Sequence, residues 1–169
     1  MKSQQPLRIA FDVQPGNGGP GRYVASLVRA MAAPEWSVQF VDIPQQTATG
    51  QSNPSIAARS PRRLSRLIPR FARHWLGFRR EAIRLARNIR TMPVDLLHTQ
   101  NTGCEEMPVA ARLAGVPRVL GTFHVDSPVD LLRQRSGFTH RAMEWYSNRS
   151  FHLAIAVSEA TRRDWMRRS

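Results

Sequence analysis

Two histidines, a glycine-rich turn and an arginine-rich stripe are the parts of this sequence that can do chemistry. His98 and His124 each end a short apolar run, Val94–His98 and Arg118–His124. An imidazole there can bond a hydroxyl, polarise a reacting group or hold a phosphate oxygen. One such histidine is more often satisfied by backbone or simply solvated. Two at equivalent places, with Asp126 beside the second, favour a site. Ser158 follows a third apolar run, Leu153–Val157, and is both a site candidate and a helix N-cap candidate. The turn after the first run reads Gly16-Asn-Gly18-Gly19-Pro-Gly21-Arg22-Tyr23. Glycines let a ligand approach the backbone, and a helix N-terminus behind them favours an anion. Gly16, Gly18 and Gly21 also fit the dinucleotide fingerprint, with Asp42 near the place of a ribose-binding acid. The alternative is a tight turn that binds nothing. Cys104 reads as an inert small residue.

The third feature is charge. The 169 residues carry 25 Lys and Arg against 12 Asp and Glu, a net charge of +13. Lys2 is the only lysine. Arg59 to Arg90 holds eleven arginines and one acid, Glu81, for a net of +10. Leu64, Ile68, Phe71, Trp75, Phe78, Ala82, Leu85 and Ile89 recur through it at spacings of four and three. A basic amphipathic helix with aromatic residues can lie on an anionic membrane surface, with Arg70, Phe71, Trp75, Phe78 and Arg79 as the contact candidates. The same stripe equally fits a helix packed on a core, and that reading is favoured. Nucleic acid is the weaker third choice, because no recognition helix or RNA-binding motif is present.

These residues need elements to position them. The hydrophobic patterns predict strands at Leu7–Val13, Trp36–Ile43, Val94–His98, Arg118–Phe123 and Leu153–Val157. Helices are predicted at Gly21–Ala33, Pro61–Arg90 with a break at Pro69, Glu105–Ala114, Val129–Arg149 and Ser158–Arg168. Residues 45–60 are rich in Gln, Ser, Thr, Asn and Pro and read as a mobile loop. Alternating strands and helices predict a single doubly wound, mostly parallel, Rossmann-like α/β domain over 7–169. Ligands then bind at the carboxyl ends of the strands, where the glycine turn, His98, His124, Asp126 and Ser158 fall. A single cysteine excludes an internal disulfide and a multi-cysteine metal site. No apolar stretch approaches a membrane span. The first run contains Arg8 and Asp12, which does not suit a secretory signal, so the expected location is cytoplasmic.

Ile9-Ala-Phe-Asp12 followed by Gly18-Gly19-Pro-Gly21-Arg22-Tyr23 resembles the opening of glycosyltransferase family 4. Asp95-Leu-Leu-His98, Val119-Leu-Gly-Thr-Phe-His124 and Ala154-Ile-Ala-Val157-Ser158-Glu159-Ala-Thr161 resemble later landmarks of that family, in the same order. The resemblance implies the N-terminal, acceptor-side half of a GT-B architecture. It implies a retaining sugar transfer from a nucleotide-sugar donor to an acceptor, including lipid-linked and polysaccharide-precursor classes. Gly18, Gly19 and Gly21 would approach the donor diphosphate, and His124 would contact the transferred sugar. No metal or other cofactor is expected. Val125 stands where the family often has Asp. The family's second domain carries two glutamates eight positions apart, and this sequence has no such pair. A partner donor domain, in cis or in trans, is therefore expected, and the chain alone should be inactive. The competing classes are a dinucleotide-binding oxidoreductase domain and a non-enzymatic membrane-surface module; a lipid-linked acceptor would place the enzyme itself peripherally on the inner face of the membrane.

Overall fold

The computed structural model describes residues 5–13, 19–41, 69–100, 105–124 and 138–168. In chain order these form β1 (Leu7–Phe11), α1 (Gly19–Ala30), β2 (Trp36–Phe40), α2 (Arg70–Arg90) and β3 (Leu96–Thr99). There follow α3 (Glu106–Ala114), β4 (Arg118–Phe123), α4 (Phe138–Asn148), β5 (Leu153–Ala156) and α5 (Glu159–Arg168). The five strands make one parallel sheet in the order β2-β1-β3-β4-β5. The Rossmann-like α/β expectation holds. The order reverses between β1 and β3, so a crevice opens at their carboxyl ends.

Period-two alternation explains how both faces are covered. Ala10, Leu97 and Val119 point to one face and pack with Leu85, Ala86 and Ile89 of α2 and Met107, Ala110 and Ala111 of α3. Ile9, Phe11 and Leu96 point to the other face and meet Val24, Leu27 and Val28 of α1. Each large side chain fully buried this way contributes roughly 1.5–3 kcal/mol of transfer free energy.

The arginine-rich stripe divides along α2. Phe78, Ala82, Leu85 and Ile89 are buried, with Phe78 and Ala82 against Val109 and Met143. Phe78 is only 3% exposed, so its ring belongs to the interior and not to a membrane-facing surface. Phe71 is 40% exposed and stacks on Trp75, which reaches Tyr146 of α4. Arg70 opens the helix, directly after Pro69, whose φ of −52° suits a helix start. Residues 61–68 and the loop expected at 45–60 lie outside the described residues.

Element ends shift by a few residues. α1 stops at Ala30, three residues before its expected end. Ala32 N–H bonds the Arg29 carbonyl, a tighter closure that turns the chain toward Pro34. β3 begins at Leu96 because Asp95 does different work. Its carboxylate takes the Arg8 guanidinium at 2.8 Å through two nitrogens and the Arg8 N–H at 3.0 Å. That grip ties β1 to β3 at the edge opposite the crevice, and Arg8 holds the Asp95 carboxyl down at about 2. α3 ends on Gly115 at φ +84°, with Val116 N–H bonding the Ala111 carbonyl. Glycine adopts that left-handed backbone without a Cβ penalty.

Candidate functional site

At the carboxyl edge, Asp12 follows β1, Gln100 follows β3 and His124 follows β4. Asp12 is 7% exposed, and Gln100 is fully buried. The Gln100 backbone N–H donates to Asp12 Oδ1 at 2.9 Å. Gln100 Oε1 lies 2.6 Å from His124 Nε2. A chain of contacts thus crosses three strand ends, from β1 through β3 to β4. Burial pushes the Asp12 carboxyl up to about 6, although bonds from the Thr99 side chain and Gln100 backbone favour its ionised form.

His98 reaches the same edge one layer down. Its Nε2 is 2.7 Å from Thr122 Oγ1, and it is 5% exposed. The Phe11 ring lies 5.2 Å from it, centroid to centroid. Desolvation, then the neighbouring His124, lowers it to about 4. His98 is therefore a neutral, enclosed imidazole at neutral pH.

His124 is half-buried, and desolvation lowers its pKa below the ordinary imidazole value. Tyr23, from the second turn of α1, stands edge-on to His124 at 5.2 Å and to His98 at 6.3 Å. The two histidines, carried by the consecutive strands β3 and β4, are thereby gathered at one aromatic ring. Gly19 opens α1 on the same edge, and among the described residues a Cβ there would meet no atom within 4 Å. Gly21 is buried in the first turn. Neutral imidazoles, an exposed glycine at a helix N-terminus and a buried carboxylate suit recognition of hydroxyls and an anionic group.

Ser158 lies farther along the edge, beyond β5. Its hydroxyl accepts the Thr161 N–H at 3.0 Å and lies 2.9 Å from Thr161 Oγ1. It caps α5 as the sequence pattern indicates. A cavity of ≈ 430 Å³ lies beside it, lined by Phe123, Val157, Glu159, Arg162 and Trp165 among others. Gly16, Gly18, Asp42, Cys104 and Asp126 lie outside the described residues.

Gln100, Asp12 and Tyr23 are the site residues that sequence reasoning passed over. Tyr23 reads as one apolar position on a helix face, and Asp12 as a landmark of the first run. Gln100 carries one signal, its place at the exit of the strand that bears His98.

Among the described residues, no group of His, Cys, Asp and Glu side chains could hold a metal ion. No described helix is long and apolar enough to cross a membrane. A family model described as Glycosyltransferase Family 4 matches residues 17–169. No curated protein matches the chain.

Proposed function

The chain belongs to glycosyltransferase family 4, and from that premise we propose that it is the acceptor-side domain of an enzyme moving a sugar from a nucleotide-sugar donor to an acceptor. The observation that carries this reading is the convergence of His124, Tyr23 and the α1 N-terminus at the crevice where the strand order reverses. In this reading the donor diphosphate meets the α1 N-terminus at Gly19, with Gly18 and Gly21 as its neighbours in sequence. His124 bonds the transferred sugar as a neutral imidazole. In the transfer, the bond from the anomeric carbon to the diphosphate oxygen breaks and a bond to the acceptor oxygen forms. The acceptor's proton leaves with the nucleoside diphosphate, and configuration at the anomeric carbon is retained. A second domain binds the nucleotide, and no metal takes part.

The test is release of nucleoside diphosphate across a panel of nucleotide sugars, for the chain alone and with a family 4 donor domain supplied. Release with the donor domain, lowered about 100-fold by His124→Ala, supports the reading. No release or transfer from any donor in the combined system sinks it.

A second reading adds to the first. Phe71 and Trp75 sit at the start of α2, and exposed arginines, Arg73, Arg79 and Arg80, follow along it. That combination of aromatic and cationic groups suits docking on an anionic membrane surface, where a lipid-linked acceptor would be found.

A further inference from the structure

We propose that Gln100 is a positioning residue that holds His124 as a single tautomer, with the hydrogen on Nε2 and the lone pair on Nδ1. The inference rests on the reading of His124 as the histidine that meets the ligand. Three observations carry it. First, Gln100 Oε1 stands 2.6 Å from His124 Nε2. An amide oxygen can only accept, so the imidazole nitrogen facing it carries the hydrogen. Second, the chain at Gln100 is held in place. Gln100 is fully buried, and its backbone N–H is fixed by Asp12 Oδ1 at 2.9 Å. Third, among the described residues its amide nitrogen is buried without a hydrogen-bond partner. A buried orphan donor is destabilising, so an apolar side chain of the same shape would suit this place better if packing were all that mattered.

The chemical consequence follows from Gln100 being neutral. A carboxylate at that place would stabilise imidazolium and raise its proton affinity. An amide orients the ring and leaves it uncharged. His124 then offers a sugar hydroxyl a neutral, pre-oriented ring whose Nδ1 accepts the hydrogen bond. The ionisable groups facing this pair among the described residues are Asp12 from β1, Tyr23 from α1 and His98 from β3.

The test is the imidazole nitrogen spectrum of the isotopically labelled chain, followed from pH 5 to 9, with no donor or acceptor present. Wild type should show His124 with a pyrrole-like Nε2 and a pyridine-like Nδ1. Gln100→Met should lose that preference and show mixed tautomers. Gln100→Glu should raise the proton affinity of His124 roughly tenfold or more. Asp12→Asn keeps an oxygen for the Gln100 N–H and should leave the tautomer unchanged. A wild-type His124 carrying its hydrogen on Nδ1 overturns the proposal, and so does an unchanged tautomer in folded Gln100→Met. Failed sugar transfer leaves this measurement standing, so the two readings fail separately.

Discussion

Asp12 Oδ1 and the backbone N–H of Gln100 meet at 2.9 Å across the point where the strand order reverses. This bond joins the ends of β1 and β3 where a ligand crevice opens. Its acceptor is held in an environment that penalises charge, which raises the carboxyl to about 6. Asp12 therefore keeps its proton longer in the folded chain than in the unfolded one. Its stabilising contribution is complete below about pH 4 and is lost as pH rises through 6. The full effect is on the order of 3 kcal/mol. Asp12→Asn should remove the decline between pH 4 and 6. Urea midpoints for both proteins across that range test this, and parallel curves would contradict it.

His98 works in the opposite sense. Its folded value of about 4 lies below the ordinary 6.5. Its contribution is present above 6.5 and is lost as pH falls toward 4. His98→Asn should be less stable than wild type at pH 7, and the gap should narrow on acidification. In wild type the Asp12 and His98 slopes oppose each other between pH 4 and 6. A gap independent of pH would mean that His98 is not held neutral by burial.

Gly121 of β4 lies under the Phe151 ring, where a Cβ would stand 2.6 Å from a ring carbon. Phe151 in turn packs against Phe123 at 5.5 Å, so it cannot move freely. Gly121→Ala should cost about 1–3 kcal/mol through overpacking. Phe151→Leu in the same chain should recover part of that loss. Thermal unfolding of the two variants separates this steric cause from a backbone effect, which the second change would not relieve.

Ser158→Ala should lower stability by about 1 kcal/mol, because the Thr161 N–H loses its acceptor. Ser158→Asp should restore it, since aspartate also caps. If the alanine variant is as stable as wild type, the cap contributes nothing measurable.

The membrane reading separates Phe71 from Phe78. Phe71→Ser with Arg79→Gln should weaken binding to anionic vesicles several-fold, at roughly 1 kcal/mol per arginine near the surface, and leave folding intact. Phe78→Ser should instead destabilise the core by roughly 3–5 kcal/mol. Vesicle sedimentation alongside circular dichroism distinguishes the two. Undiminished vesicle binding by the first variant would rule out this face.

The alternation of elements was legible because buried parallel strands are short apolar runs and their helices show a different period. Arg118–Phe123 is found over its expected residues, and Gly115 and Ser158 cap helices as their types suggest. The α2 stripe was legible as a period but not as a boundary. Phe71 and Phe78 carry the same pattern, and only packing by Val109 and Met143 makes one of them core. His98 and His124 could be placed at strand ends from their runs alone. Their division into an enclosed residue and a half-open one could not, because it depends on Thr122, Gln100 and Tyr23 arriving from three elements. Gln100 is 24 residues from His124 in sequence, a distance at which no local pattern operates.

An all-parallel sheet also dictates how the chain must fold. No two neighbouring strands are joined by a hairpin, and Asp12 finds Gln100 only across 88 residues. Closing so long a loop costs entropy before any pairing is gained, which slows folding and delays its reward. The first strand emerges during synthesis long before its central partner exists. The crevice therefore cannot form until β3 has been made and has paired with β1. Substitutions that slow the arrival of β3 should be felt in the yield of folded chains before they are felt in the finished site.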